Sequence, residues 1–148
     1  MKYELVGLGH SPKVAILCPR IQPDEIIKHY GDLLSVTYPL MVCDLYQDRT
    51  KKKTSNEAIK EYLADLMPNL VNAGINFLIV TQPDYFKVLS KQAKTDATIG
   101  DIYPSIVDGI SVTYMPNYSR VFYDPEKTTA KIKIGINSVI RWMNGDTA

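Results

Sequence analysis

Residues 109–125 read GISVTYMPNYSRVFYDP, and the rest of the predicted fold is organised around this stretch. Its first part, residues 110–114, is rich in strand-forming residues and is followed by Pro116, so it predicts a strand that stops there. A loop with aromatic, amide and guanidinium side chains comes next, and Asp124 with Pro125 predicts the start of a helix. The stretch therefore predicts a strand whose end presents functional groups.

Three earlier apolar runs end in polar loops in the same way. They cover residues 13–17, 40–43 and 77–80, and short continuous apolar runs are typical of strands buried on both faces of a sheet. Helical segments separate these runs, and alternating strands and helices predict right-handed crossovers. We expect one α/β domain over residues 1–148, with three layers and a four-stranded, mainly parallel sheet flanked by helices.

Start and stop signals predict where the helices lie. A first helix is expected to begin at Asp24 and to end at Gly31. Thr54 is the predicted cap of a second helix, which Pro68 should kink and Gly74 should end.

The rest of the chain is predicted from weaker patterns. A short helix is expected around residues 85–89, and the polar residues 91–105 are expected to form a loop. Residues 130–134 alternate in polarity and also fit a strand, but the length of the apolar pattern favours a helix that starts at Asp124.

Composition limits the possible functions. The formal net charge is +1, so nucleic-acid binding would depend on local clusters of basic residues, of which residues 49–53 are the clearest. No run of about eighteen apolar residues occurs, and the first residues lack the pattern of a signal peptide. We expect a cytoplasmic protein that does not associate with membranes.

Polar side chains follow each predicted strand, and parallel sheets bind ligands at the edge where their strands end. The glycine patterns of phosphate-binding loops and the GxSxG elbow of serine hydrolases do not occur, so we expect no nucleotide cofactor. Cys18 and Cys43 end apolar runs, where a buried thiol is typical, so we expect no metal site. The predicted pocket residues are Arg20, Gln22, Asp44, Tyr46, Gln82 and Asn117.

The order of these motifs resembles that of the uracil-DNA glycosylase superfamily. In that family one strand leads into the catalytic loop, a second ends in the residue that reads the base, and a fourth ends in His-Pro-Ser. Here Met115, Pro116 and Asn117 stand in place of His-Pro-Ser, and Asp44 stands where the family often has an asparagine. Residues 115–127 look most like the glycosylase-fold domains attached to bacteriophage family A DNA polymerases.

The resemblance implies a glycosylase-like fold and a role in bacteriophage DNA replication, without the family's chemistry. Met115 stands in place of the catalytic histidine and cannot stabilise a departing uracil anion by a strong hydrogen bond. No carboxylate occurs in the first loop before Asp24. We expect a catalytically degenerate module that binds single- or double-stranded DNA, or docks to a DNA polymerase or another replication protein.

The resemblance also implies which residues contact DNA. The loop after the fourth strand is where the family inserts a wedge, and aromatic or apolar wedges unstack bases. Basic side chains are expected on the phosphates. The expected DNA-binding residues are Tyr118, Arg120, Phe122, Lys51, Lys52 and Lys53.

Two alternatives stay open at the level of sequence. An active base-excision or nucleotide-handling enzyme would use Asp44 or Asp24 as a general base. A pure protein-interaction module would present Tyr118, Phe122 and Tyr123 as an apolar contact surface.

Overall fold

The computed structural model describes residues 3–7, 12–18, 23–34, 39–44, 55–118, 120 and 123–145. Within these ranges the chain forms six strands and four α-helices. The strands are β1 (Tyr3–Gly7), β2 (Val14–Cys18), β3 (Leu40–Asp44), β4 (Phe77–Val80), β5 (Tyr103–Pro104) and β6 (Ser111–Tyr114). The helices are α1 (Pro23–Leu34), α2 (Asn56–Asn72), α3 (Pro83–Ser90) and α4 (Pro125–Met143).

The strands form one mixed sheet in the order β1-β3-β2-β4-β6-β5. The four central strands are parallel and correspond to the four predicted runs. The predicted α/β class is therefore confirmed, but a sheet of only four strands was wrong. Strands β1 and β5 add antiparallel edges, β1 next to β3 and β5 next to β6.

Helices cover both faces of this sheet, and the burial of β2 shows why its apolar run is continuous. All five of its residues are fully buried. Ala15 and Leu17 pack in the core beneath α2 and α3, whereas Val14, Ile16 and Cys18 pack on the opposite face with residues of α1 and α4. Because successive side chains of a strand point to opposite faces, both sets must be apolar.

Helix α1 extends beyond its predicted end. Gly31 was predicted to stop it, and the regular helix does break next to Gly31, at Tyr30 with φ −115° and ψ 20°, but after this kink a further helical turn continues to Leu34. Tyr30 and Leu33 are both fully buried, so packing against the sheet holds the last turn in place. The low helix propensity of glycine is too small an effect, about 1 kcal/mol, to decide the boundary against that packing.

Helix α2 begins one residue later than predicted and ends where predicted. The N-cap is Ser55, whose side chain accepts a hydrogen bond from the Ala58 N–H at 3.2 Å, whereas Thr54 lies outside the described residues. At the other end Gly74 adopts φ +85°, its N–H donates to Val71 O, and the next N–H, of Ile75, donates to Leu70 O. This pair of hydrogen bonds is a Schellman motif.

In the last third of the chain, one segment differs from its predicted secondary structure. Residues 91–105 were predicted to be a loop, but they contain a short 3₁₀ turn, Asp96–Thr98, and the edge strand β5. Helix α4 is confirmed with its predicted start: Asp124 caps it by accepting a hydrogen bond from the Lys127 N–H at 3.4 Å. Residues 130–134 lie within α4, so the strand alternative was wrong.

No helix in the described part of the chain combines the length and the apolar character that crossing a membrane requires.

Candidate functional site

The four parallel strands end at the same edge of the sheet, and Thr81 links two of these ends. Its hydroxyl donates to Leu17 O at 2.7 Å, and its backbone N–H donates to the same oxygen at 3.2 Å. Thr81 and the next residue, Gln82, are 4% and 5% exposed. The predicted pocket residue Gln82 therefore lies buried at the predicted edge, between the end of β4 and the start of α3.

A cleft of about 240 Å³ opens at this edge, between the end of β6 and the first turns of α3 and α4. We call it the β6 cleft. Its polar lining includes Tyr114, Arg120, Tyr123, Asp124, Lys127 and Lys131.

The turn after β6 places Arg120 in this cleft. Met115 extends the ladder by one further hydrogen bond, from its N–H to Val80 O at 3.2 Å. Pro116 follows, and the Arg120 N–H then donates to Asn117 O at 3.0 Å. The carbonyl of Arg120 in turn accepts the backbone N–H groups of Tyr123 and Asp124, both at 3.1 Å. This turn therefore joins Arg120 directly to the start of α4.

The cleft is electropositive. The described residues that line it include three cationic side chains, those of Arg120, Lys127 and Lys131, and one carboxylate, that of Asp124. Lys127 and Lys131 are one turn apart on α4, so they lie on the same face of the helix. The first turn of α4 adds the positive end of its helix dipole. The cleft therefore suits an anion, and phosphate oxygens are the anionic groups that such donors commonly bind in nucleic acids.

Tyr123 lies at the mouth of the β6 cleft. Its side chain lines the cleft and is 84% exposed. An exposed aromatic ring beside three cations offers an apolar face next to the positive charge.

Tyr118 lies in a cluster of aromatic side chains. It is 6% exposed, its ring stacks on that of His29 at a centroid distance of 6.0 Å, and the ring of Tyr30 meets it edge-on at 6.2 Å. Its backbone N–H donates to the Tyr30 hydroxyl at 3.2 Å. Tyr118 therefore packs between two aromatic neighbours, and its stacking on DNA stays a prediction.

Met115 occupies the position that the resemblance matches with a catalytic histidine. It is fully buried and packs with apolar residues between the sheet and α4. A Cβ added to Gly135 of α4 would lie 2.8 Å from its terminal methyl group, which shows how closely the thioether approaches that helix. This position therefore contributes packing and holds no group that could transfer a proton.

The remaining predicted residues fall into two groups. Asn117 is 8% exposed and lies in the turn that leads to Arg120, so Asn117, Gln82 and Arg120 all follow β4 or β6 at the same edge. Asp44 ends β3, and only its backbone is described. The predicted residues outside the described ranges are Arg20, Gln22, Tyr46, Lys51, Lys52, Lys53 and Phe122.

Sequence reasoning missed two cations of the cleft and gave Tyr123 another role. Lys127 and Lys131 are separated by residues of mixed polarity, so they form no basic run. Their signal is the spacing of four residues directly after the cap at Asp124, which puts both on one helix face near Arg120. Tyr123 was assigned only to a possible protein contact.

Comparison of the chain with protein-family models and with the sequences of curated proteins found no match. Function is therefore inferred from the geometry and charge of the β6 cleft.

Proposed function

We propose that the protein is a DNA-binding module of bacteriophage replication, acting in the host cytoplasm, that contacts DNA phosphates through the β6 cleft without excising a base. The observation that carries the proposal is the convergence of Arg120, Lys127 and Lys131 in one cleft at the carboxyl edge of a parallel sheet. The phage setting rests on the resemblance of residues 115–127, and the glycosylase-like fold rests on the order of the motifs along the chain.

The charges of the cleft support phosphate contact over a neutral ligand. Among the described residues that line it, three cations against one carboxylate leave a surplus of positive charge, although the formal net charge of the chain is only +1. The side chain of Asp124 accepts the Lys127 N–H as the cap of α4, so part of its hydrogen-bonding capacity is used within the helix. Contacts of this kind bind DNA with little regard to its sequence.

The same site argues against base excision. The residue after β6 is the buried Met115, which has no proton to give. In the β6 cleft the carboxylate that could act as a base, Asp124, caps a helix, and Asp24 of the enzyme alternative lies exposed in the first turn of α1. Asp124 is thus engaged as the cap of α4, and Asp24 does not line the β6 cleft.

Neutralising the cleft tests DNA binding. The triple substitution Arg120→Gln, Lys127→Gln and Lys131→Gln is expected to weaken the binding of a labelled oligonucleotide at least about tenfold at low salt. The slope of log K against log salt should fall by roughly one for each phosphate that the variant no longer neutralises. Fluorescence anisotropy over a salt series measures both quantities.

A second triple variant serves as the matched control. Lys13→Gln, Lys60→Gln and Arg141→Gln remove the same charge from exposed side chains that do not line the cleft. They are expected to leave most of the affinity intact. Equal losses in the two triple variants would overturn the assignment of the cleft. If the unaltered protein binds no DNA at low salt, the proposal is wrong and docking to a replication protein takes its place.

An excision assay tests the second half of the proposal. The protein is expected to release no uracil from a uracil-containing oligonucleotide, because the position after β6 carries Met115. Alkaline cleavage at abasic sites detects any release. The protein is purified from a host that lacks its own uracil-excising enzyme. Uracil release at an enzymatic rate by this protein would contradict the proposal that it excises no base.

A further inference from the structure

We infer that the β6 cleft takes single-stranded DNA in preference to duplex, with a phosphate held by the cleft and the adjoining unpaired base stacked on Tyr123. This inference rests on the proposed function and assigns the class of nucleic acid. The observation behind it is the position of one aromatic ring, 84% exposed, on the rim of a cleft that contains three cations.

The size of the cleft separates the two parts of a nucleotide. Pockets that enclose a drug-sized ligand have volumes of about 300–1,000 Å³. At about 240 Å³, with one side open to solvent at Tyr123, the β6 cleft is large enough for a phosphate and part of its sugar. The attached base then remains outside the cleft, at the rim where the ring of Tyr123 lies.

The backbone fixes the distance between the two binding elements. The Tyr123 N–H donates to Arg120 O at 3.1 Å, and the hydroxyl of Thr128 donates to the same oxygen at 3.4 Å. Asp124, the residue after Tyr123, is the cap of α4. The ring is therefore attached to a turn that is held to a helix, so stacking requires little additional ordering of the chain.

An exposed ring of this kind discriminates between single and double strands. In a duplex both faces of a base are covered by its neighbours, and opening the stack requires a few kcal/mol. In a single strand the face of the base is accessible, and every base has one, so stacking is tolerant of sequence. Phosphate contacts alone would favour the duplex, whose charge density is higher. A preference for single strands must therefore come from the ring.

The test compares Tyr123→Ala with Tyr123→Phe on three probes of equal length: oligo-dT, a hairpin duplex closed by a base-free linker, and a single strand that is abasic throughout. The alanine variant is expected to lose about fivefold to 140-fold in affinity for oligo-dT, the range of base–aromatic stacking. Its affinity for the hairpin and its salt slope should not change. The phenylalanine variant should bind oligo-dT like the unaltered protein, because the ring is kept.

The abasic probe separates the contribution of the bases from that of the phosphates. It keeps the phosphates and removes the bases, so the unaltered protein should bind it as weakly as Tyr123→Ala binds oligo-dT, and the alanine substitution should cause no further loss. Equal losses on oligo-dT and hairpin, or no loss on either, would overturn the stacking role. If binding depends on the cleft cations but is the same with and without the Tyr123 ring, the proposed function is retained and only this inference is rejected.

A ring this exposed can be truncated without unfolding the protein, and circular dichroism verifies that the variant is folded.

Discussion

Gly135→Val is expected to lower the free energy of unfolding by about 1–3 kcal/mol, the usual penalty of overpacking a core. An added Cβ at this position would lie 2.8 Å from the terminal methyl group of Met115 and 3.2 Å from its Cβ. The methyl group could move alone, but Met115 is fully buried and its Cβ is fixed by the backbone after β6. The better helix propensity of valine over glycine recovers only part of this loss.

The matched control for this prediction is Gly31→Val. Gly31 also lies within a helix, α1, and a Cβ there would meet nothing within 4 Å. Its substitution is expected to change stability by less than about 0.5 kcal/mol. Urea denaturation measures both variants. Combining Gly135→Val with Met115→Ala isolates the contact between the two side chains. The double variant should lose less stability than the sum of the losses in the two single variants. Strict additivity would contradict the proposed clash.

Tyr30→Phe is expected to destabilise the protein by about 1–3 kcal/mol at pH 7 and by progressively less above pH 10. At neutral pH the loss arises because the Tyr30 hydroxyl accepts the buried Tyr118 N–H at 3.2 Å, and phenylalanine offers no acceptor. The ring itself is fully buried and fits phenylalanine equally well, so little packing energy changes.

The pH dependence follows from the burial of the same hydroxyl. Burial raises the pKa of Tyr30 well above its ordinary value, so the folded state keeps the proton when the unfolded chain releases it near pH 10. The unfolded state then binds fewer protons than the folded state. Stability is therefore unaffected by this group below that pH and falls by about 1.4 kcal/mol per pH unit above it.

Phenylalanine has no proton to lose, so the Tyr30→Phe variant lacks this part of the alkaline loss. The two stability curves, measured by urea denaturation from pH 7 to pH 12, are expected to approach each other and meet about one to two units above pH 10. Tyr123→Phe, on an exposed ring, should leave stability unchanged at pH 7. Parallel curves for Tyr30→Phe and the unaltered protein would contradict the role of the buried hydroxyl.

The central strands could be predicted from sequence because burial on both faces requires a continuous run of apolar residues. Strand β2 is therefore apolar throughout, and its apolar run can be recognised without knowing which strands pair with it. The edge strand β1 has no such run, since Glu4 and Leu5 are exposed and its pattern is neither continuous nor strictly alternating. Strand β5 has two residues and one of them is proline, so no periodicity could reveal it.

The site was only partly predictable, and two residues of one turn show the reason. Tyr118 and Arg120 were both expected to face DNA, yet Tyr118 is buried and Arg120 lines the cleft. What orients the turn is a hydrogen bond from Tyr118 to Tyr30, 88 residues away in the chain. A local pattern contains no information on a partner so distant. Spacing along α4 was the only local signal for Lys127 and Lys131.

The order of the strands also has a consequence for how the chain reaches this structure. Strand β2 lies in the middle of the parallel set, where Ile16 is in register with both Met41 and Ile79. On a ribosome β2 is made before its second neighbour, β4, which emerges only after α2 has been synthesised. Closing so long a loop is slow, and meanwhile a fully apolar strand stays uncovered. During synthesis this protein is therefore expected to depend on chaperones that recognise extended apolar segments.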